Sequence, residues 1–364
     1  MSPHEAFSPD YFRARDRFRK EASQLGWQLE AHPIGGQGPG GEELTIDVAC
    51  SPWGDPARVL VVSSGVHGVE GFFGSAVQSA LLEEWSNSSP PPARCVFLHG
   101  LNPYGFAWLR RFDEDNVDPN RNFLLPGESF EGASDAYARL DGFLNPRRPP
   151  SRVDLFLPRA LLLIARHGMP ALRQAVAAGQ YAFPRGLFFG GKAPTPMNRL
   201  LSENLGRWLR GSERVVHLDF HTGLGPWASW KLLIDYRLEA WQRTWLETWF
   251  GAGSFETGDN SLVAYDARGG FGRWCVARRF APEYLFACAE FGTYGPVSVL
   301  AGLRAENRAH HWGAPGSASM LRAGERLKEL FCPSSASWRS LVVEQGLDLV
   351  RRGMQGLFDQ VPRP

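Results

Sequence analysis

Two continuous apolar runs, separated by a helical segment, constrain the fold of this chain more than any other feature. The runs are RVLVVSS (58–64) and RCVFLHG (94–100), and FFGSAVQSALLEEW (72–85) lies between them. Strands that are apolar at nearly every position are typical of sheets covered on both faces, and such sheets are mostly parallel. The segment therefore predicts a strand–helix–strand unit with two parallel strands.

The same alternation continues along most of the chain. Further strands are predicted at ELTIDVAC (43–50), RVVHLDF (214–220), KLLIDY (231–236) and YLFACAEF (284–291), and helical patterns cover 296–312, 319–331 and 338–354. An opening helix is predicted at 8–26, with Ser8 as N-cap, Pro9 in the first turn and Gly26 after the end. This order predicts an α/β fold with a mixed, mostly parallel twisted sheet and helices on both faces.

Residues 125–213 do not continue the alternation. The stretch is loop-rich, has a helical pattern at 157–179, and ends in a segment rich in glycine, proline and aromatic residues. We interpret it as an insertion that decorates one edge of the sheet or the mouth of the site. The whole chain, 1–364, is then predicted to be a single catalytic domain.

Composition excludes several classes of partner. The net charge of +1 gives no electrostatic reason to expect nucleic acid or an anionic membrane. There is no apolar run of 18 residues and no apolar signal region at the start, so we expect a cytoplasmic protein.

The five cysteines are odd in number and form no CxxC pair. We expect buried reduced thiols, with disulfides or a cysteine metal site as the alternatives. Oligomeric state is left open.

Polar side chains collect where the predicted strands end. His67 and Glu70 follow the first apolar run in GVHGVEG, His221 ends VHLDFH, and Glu290 lies near the end of YLFACAEF. In open α/β sheets, functional residues gather beyond the carboxyl ends of the strands. These residues are therefore expected to converge although they are far apart in sequence.

His67, Glu70 and His221 form a two-histidine, one-carboxylate set, which is a ligand set of catalytic zinc. Such an ion would polarise a carbonyl and lower the pKa of water. The H-x-x-E motif alone is weak, and a hydrogen-bonded turn is the alternative for His67 and Glu70. His217 shares the strand of His221 but lies deeper, so it is interpreted as a satisfied core histidine.

With these segments in view, the chain resembles the zinc carboxypeptidase superfamily, which includes metallocarboxypeptidases and the aspartoacylase and succinylglutamate desuccinylase deacylases. The resemblance rests on HGVEG, LNPYGF, RRFDEDNVDPNRNF, DFHTG and EFGTYG, between about residues 58 and 295. GLFFGGKAP and LRAENRAHHW are similar to an uncharacterised bacterial branch formerly described only as a domain of unknown function. The resemblance implies one zinc ion per chain.

The resemblance also implies roles for individual residues. NVDPNRNF is similar to a family motif in which Asn120 and Arg121 would hold the free carboxylate of the substrate, and Asp118 would orient the first histidine ligand. Arg111 would stabilise the oxyanion, with Arg110 as the fallback. Glu290 would be the general base that activates water. These roles have structural alternatives: a solvated, salt-bridged loop for Arg110 and Arg111, structural loop residues for Asn120 and Arg121, and a buried ion pair for Glu290.

Carboxypeptidases also use a mobile tyrosine upstream of the base. Tyr265, which lies 25 residues before Glu290, is the candidate, Tyr294 is its rival, and loop packing is the alternative for both. The resemblance implies a small peptide or an N-acyl amino acid with a free carboxylate as the substrate. Which of them is cleaved is left open, because no residue is singled out as the determinant of the leaving group.

The leading hypothesis is a carboxypeptidase-type zinc hydrolase that cleaves an amide next to a free carboxylate. The alternative is an aspartoacylase-like N-acyl-amino-acid deacylase, and a lesser alternative is a non-catalytic metal-binding protein on the same fold. A serine α/β-hydrolase is excluded because no serine has glycine two residues before and two residues after it.

Overall fold

In the part of the chain that the structure describes, residues 3–151, 154–257 and 267–360 of a computed structural model, an eight-stranded sheet forms the centre. The strands are β1 (Gln28–Gln37), β2 (Glu43–Cys50), β3 (Asp55–Ser64), β4 (Ala93–His99), β5 (Arg214–Thr222), β6 (Trp230–Ile234), β7 (Phe255–Thr257) and β8 (Glu283–Phe291). Their order across the sheet is β1-β2-β4-β3-β5-β8-β6-β7. The central strands β4, β3, β5 and β8 are parallel, whereas β1, β2 and β6 pair antiparallel with neighbours.

Helices cover both faces of this sheet. The α-helices of the described residues are α1 (Tyr11–Gln24), α2 (Gly71–Ser86), α3 (Pro103–Ala107), α4 (Asp135–Leu144), α5 (Phe156–His167), α6 (Met169–Ala177), α7 (Pro196–Trp208), α8 (Ala240–Trp245), α9 (Phe271–Ala277), α10 (Pro296–Trp312), α11 (Ala318–Phe331) and α12 (Ala336–Gly356). Helices α2 and α12 share one hydrophobic cluster with Leu60 and Leu218, whereas α7 and α9 share another with Val59 and Val61. The predicted α/β fold is confirmed.

The apolar pattern explains the central strands. β5 is buried along its whole length, and β3 is buried from Val59 onwards. Alternate residues of β3 point to opposite faces, so Leu60 and Val62 join one cluster while Val59 and Val61 join the other. A strand needs apolar residues on both faces only where both faces are covered.

Helix α1 begins two residues later than the sequence suggested. Its N-cap is Asp10, whose Oδ1 accepts a hydrogen bond of 2.8 Å from the Arg13 N–H, so the prediction of Ser8 is wrong. Asparagine, aspartate and serine are all strong N-caps, and Pro9 permits either start. Gly26 follows the end of the helix with a φ of +70°, as the sequence indicated.

The stretch 125–213 contains α4, α5, α6 and α7. The helical pattern at 157–179 is two helices, because Gly168 breaks it with a φ of +78°. Four leucines of this region, Leu155, Leu157, Leu161 and Leu162, are exposed at or near α5. That the whole chain is one domain stays a prediction.

Among the described residues, no helix has the length and apolar character needed to cross a membrane. The five cysteines are free thiols, three of them buried and two partly buried, which agrees with the expectation from sequence.

Candidate functional site

The parallel strands bring their carboxyl ends to one edge of the sheet, and the predicted site residues lie there. β3 leads into the loop that carries His67 and Glu70. β5 ends at Thr222, directly after His221, and β8 ends one residue after Glu290. The register of β5 and β8 places His221 beside Glu290.

Close backbone packing fixes the HGVEG loop. A side-chain carbon on Gly68 would lie 2.1 Å from the carbonyl carbon of Gly105, so only glycine allows this approach. The Gly68 N–H donates to the Arg111 carbonyl at 3.2 Å, and the Val69 N–H donates to the Arg110 carbonyl at 2.8 Å. The loop after β4 is thereby held against the loop after β3, with Arg111 next to the histidine.

His67, Glu70 and His221 form a tight buried cluster. His67 Nδ1 lies 3.0 Å from Glu70 Oε1, and His221 Nδ1 lies 3.0 Å from Glu70 Oε2 and 3.1 Å from His67 Nδ1. Their donor atoms all lie within 4.8 Å of one another. The structure thus brings together the three residues that the sequence singled out as metal ligands.

A chain of hydrogen bonds determines which nitrogen of His221 faces this cluster. His221 Nε2 lies 2.6 Å from Asp219 Oδ2, and the Ser63 hydroxyl donates to Asp219 Oδ1 at 2.6 Å. Ser63 Oγ also lies 2.8 Å from His217 Nε2, while His217 Nδ1 lies 2.9 Å from the Tyr284 hydroxyl. Because Ser63 has one hydrogen and gives it to the carboxylate, His217 must donate through Nε2 and accept from Tyr284.

The same reasoning assigns His221. Its Nε2–H donates to Asp219, so in the neutral ring Nδ1 presents a lone pair to Glu70 and His67. Burial disfavours a charged His221, but Asp219 and Glu70 outweigh burial and raise its pKa well above the usual value. The negative charges of Asp219 and Glu70 therefore favour a cation, either a proton or a metal ion, at His221 Nδ1. Two imidazoles, each backed by a carboxylate, together with the Glu70 carboxylate fit a zinc ion.

His67 Nε2 has two partners, one of which requires this nitrogen to carry a hydrogen and the other of which requires it to be unprotonated. Asp118 Oδ1 lies 3.1 Å away and accepts, whereas Arg111 Nη2 lies 2.7 Å away and can only donate. Arg111 also donates to Glu70 Oε1 at 2.8 Å. Metal binding through His67 Nδ1 requires the tautomer that donates to Asp118.

Charge around the cluster keeps two carboxylates ionised. Burial raises the pKa of Glu70, but His67, His221 and Arg111 more than offset it, so its pKa lies well below the ordinary value. Burial likewise opposes the ionisation of Asp118, whose pKa is nevertheless held well below its usual range, chiefly by Arg111 and His67. Both carboxylates are therefore acceptors at neutral pH.

Glu290 differs from these two carboxylates. Its Oε1 accepts a hydrogen bond of 2.8 Å from the Leu224 N–H. The possible ligand atoms of Glu290, His221 and Cys288 lie within 4.8 Å of one another. Burial, followed by the negative charge of Glu70, raises the pKa of Glu290 to about 8. A cation at the neighbouring cluster would lower that pKa, because opposite charge favours the ionised form. A carboxyl group with a pKa in this range can both accept and release a proton near neutral pH.

The residues implied to hold the substrate carboxylate lie in the same pocket. Asn120 Oδ1 accepts a hydrogen bond of 2.9 Å from the Phe271 N–H, which leaves its amide NH₂ as the group able to donate to a ligand. Arg121 is buried and donates through Nε and Nη2 to the Ala177 carbonyl, at 3.0 and 2.7 Å. Helix α6 of the insertion thus fixes the guanidinium, and its role towards a substrate stays a prediction.

Three other candidates are placed elsewhere or lie outside the described residues. Arg110, the fallback for Arg111, points away from the cluster and donates to Glu306 Oε1 at 2.6 Å. The Tyr294 hydroxyl donates to Glu329 Oε1 at 2.6 Å and does not line the pocket. Tyr265 lies outside the residues that the structure describes.

A pocket of about 210 Å³ opens onto the cluster. Its polar end is lined by His67, Arg111, Asn120, Arg121, Asp219, His221, Asp235 and Glu290. The rest of the described lining is largely apolar, and helices α4, α5, α6 and α10 contribute much of it. Helices of the insertion therefore line the pocket. Of the two locations expected from the sequence, the edge of the sheet and the mouth of the site, this corresponds to the second.

Sequence reasoning did not assign a role to Asp219 or Ser63, which orient His221. A signal was present for Asp219, because it lies two residues before His221 and residues i and i+2 share one face of a strand. Ser63 gave no signal, since its contact depends on the register between β3 and β5, which places it beside Asp219.

Comparisons with known proteins agree with this architecture. A family model described as "Protein of unknown function (DUF2817)" matches residues 7–345. The chain belongs to the DUF2817 family. The predicted likeness to an uncharacterised branch is thereby confirmed. No curated protein matches the sequence significantly.

Solved structures show what fold this DUF2817 member has. Bovine thrombin-activatable fibrinolysis inhibitor, solved in complex with tick carboxypeptidase inhibitor, is 11% identical, with a TM-score of 0.53 and coverage of 98% of this chain and 99% of that one. A Rhodobacter sphaeroides succinylglutamate desuccinylase/aspartoacylase is 15% identical over 80% of this chain and 69% of that one, with a TM-score of 0.38. The first of these structures has the carboxypeptidase-like fold that the resemblance implied.

Proposed function

We propose that this protein is a zinc-dependent hydrolase of the carboxypeptidase type, which cleaves an amide bond next to a free carboxylate. The observation that carries the proposal is the cluster of His67, Glu70 and His221 at the end of a pocket that also contains Glu290 and Arg111. Its donor set and its attraction for positive charge support one zinc ion per chain. Bound there, zinc would supply Lewis acidity towards a carbonyl oxygen and towards water.

Glu290 acts as the proton carrier. Its Oε1 is fixed by the Leu224 N–H, which leaves Oε2 to take a proton from the attacking water and to deliver it to the leaving amine. Arg111 supplies positive charge where the carbonyl oxygen becomes an oxyanion, a contribution of about 3 kcal/mol. Because its guanidinium contacts Glu70 and His67, it lies close enough to reach that oxygen.

Asn120 and Arg121 hold the free carboxylate of the substrate. An Asn amide can donate one hydrogen bond, and a planar guanidinium adds charge-assisted ones. Both side chains are positioned in advance by backbone groups, Asn120 by Phe271 and Arg121 by Ala177. Positioning of this kind reduces the entropy lost when the substrate binds.

Two alternatives use the same residues. An aspartoacylase-like deacylase would release an acyl acid instead of a shortened peptide, and the apolar side of the pocket favours it. A non-catalytic metal-binding protein would keep the cluster without turnover.

Metal content and hydrolysis test the proposal together. Wild type is expected to contain about one zinc per chain by mass spectrometry and to hydrolyse N-blocked dipeptides or N-acyl amino acids. His67→Ala and His221→Ala are expected to lose both metal and activity. His32→Ala changes a partly exposed histidine that contacts Glu30, and it is expected to retain both. Wild type that binds zinc but hydrolyses none of these substrates would support the non-catalytic alternative. Wild type that does not bind added zinc would refute the proposed mechanism.

A further inference from the structure

The insertion and helix α10 together supply an apolar wall to the pocket. We use this name for Leu144 of α4, Ala160 and Ile164 of α5, Leu172 of α6, and Leu300 and Leu303 of α10. Ala160 and Ile164 are four residues apart and so share one face of their helix. That face is turned towards the same cavity that contains the metal cluster.

The apolar wall continues up to the reacting centre. The Phe188 ring lies 5.5 Å from the Arg111 guanidinium carbon. Phe188 lines the pocket and belongs to the same hydrophobic cluster as Leu144 and Leu303. A substrate whose carbonyl lies beside Arg111 therefore meets aromatic and then aliphatic side chains on its way out of the polar end.

The apolar wall provides few hydrogen-bonding side chains for a peptide backbone. Each peptide residue brings an N–H and a C=O group, and leaving one such group buried without a partner weakens binding by about 5–150-fold. Among the described residues of α4, α5 and α6 that line the pocket, Arg173 is the one with a charged side chain, and it is partly exposed. A chain of methylene groups has no such groups to satisfy.

We propose that the acyl half of the substrate is a long aliphatic chain, so that the enzyme hydrolyses N-fatty-acyl amino acids. This inference rests on the proposed function and names its substrate class. Water adds across the amide: the acyl carbon–nitrogen bond breaks, a carbon–oxygen bond forms, and the proton passes to the amine. The products are a fatty acid carboxylate and a free amino acid.

The apolar wall predicts a dependence on chain length. Each methylene that becomes buried favours binding by about fourfold, from the usual transfer free energy of a CH₂ group. We therefore expect kcat/KM to rise steeply from the N-acetyl to the N-octanoyl and N-lauroyl derivatives of one amino acid, up to the length that fills the pocket. N-blocked dipeptides should be poorer substrates.

A filled pocket should abolish this preference. Ala160→Trp places an indole into the cavity, so the ratio of kcat/KM for the N-lauroyl over the N-acetyl substrate is expected to fall at least tenfold. Ala165→Trp is the matched control, because Ala165 is an exposed residue of the same helix. Its ratio should equal that of wild type. The wild-type series needs no variant, so a misfolded Ala160→Trp would not weaken the test.

Binding separates this inference from the proposed function. Calorimetry of the Glu290→Gln variant, which is expected to keep its zinc and lose turnover, with N-lauroylglycine and N-acetylglycine below the micelle concentration measures how binding depends on chain length. Much tighter binding of the lauroyl compound, reduced when Ala160→Trp is added, supports a site for a long aliphatic acyl chain. If wild type then cleaves none of these amides, the proposed function is overturned while the acyl-chain site stands. Equal binding of both compounds, or equal kcat/KM along the series, would overturn the inference.

Discussion

Asp219 is the residue whose replacement tests the metal centre most directly. Its carboxylate accepts from His221 Nε2 at 2.6 Å and from the Ser63 hydroxyl at 2.6 Å, and it is buried. Asp219→Asn keeps the shape of the side chain and one acceptor oxygen. It removes the negative charge, and it leaves the Ser63 hydrogen without an acceptor if the amide oxygen stays on His221.

The expected loss follows from these contacts. A hydrogen bond to a charged group contributes about 1.5–3 kcal/mol, against about 0.5–1.5 kcal/mol for a neutral one. Losing the charge-assisted part of the bond to His221 therefore weakens zinc binding by about tenfold, and the disturbed Ser63 contact adds to it. We expect a total loss of about 10–100-fold, the range found when partners of metal-bound histidines are changed.

Chelator competition measures this loss as a zinc dissociation constant. Because Asp219 also favours a proton on His221, the titration is repeated at several pH values above neutral, and the limiting affinity is compared. Asp348→Asn is the matched control, since it removes the same charge from a partly exposed pair with Arg352 on the surface. If Asp219→Asn bound zinc within threefold of wild type, the assignment of His221 as a ligand backed by this carboxylate would be refuted.

Three further outcomes are expected. Glu290→Gln keeps its zinc but loses about 10²–10⁴-fold in kcat/KM, because the amide cannot accept a proton; activity and metal are measured on one preparation. Glu306→Gln lowers the free energy of urea unfolding by roughly 3–5 kcal/mol, because it removes the counter-charge 2.6 Å from the buried Arg110 guanidinium; an unchanged value would refute a buried pair. Burial lowers the pKa of His217 to about 4, so, as the pH falls, the imidazole is protonated in the unfolded chain before it is protonated in the folded protein. Stability is then full above pH 6.5 and falls by roughly 3 kcal/mol towards pH 4, and His217→Gln should remove that part of the slope in unfolding curves.

The central sheet could be predicted from sequence because its strands are apolar on both faces. The two strands that were missed are both at the edges. β1 has the sequence QLEAHPIGGQ and alternates between partly and fully exposed residues, and it contains a proline and two glycines. Such composition is tolerated in an edge strand and argues against a central one, so its sequence resembles a loop. β7 has only three residues, which is too short for any periodicity.

The candidate ligands could be predicted because residue type and position agreed at two strand ends, those of β3 and β5. The surroundings of Arg121 could not. Its contact with the Ala177 carbonyl joins the loop after β4 to helix α6, 56 residues further along the chain. The helical pattern of α6 indicates that a helix exists, but where that helix packs depends on long-range contacts that local sequence does not encode. The apolar wall was unpredictable for the same reason.

Strand register links the stability of the fold to the geometry of the site. A strand that is apolar on both faces can slip by one residue without exposing any apolar side chain, so hydrophobicity alone specifies its register poorly. In β5 the alternating residues His217, Asp219 and His221 share one face, and the register with β3 places Ser63 beside Asp219. A slip of one residue would turn these polar groups into the opposite apolar cluster and leave them without partners, at a cost of several kcal/mol. The hydrogen-bond chain that orients His221 therefore also selects the register that brings His221 beside Glu290.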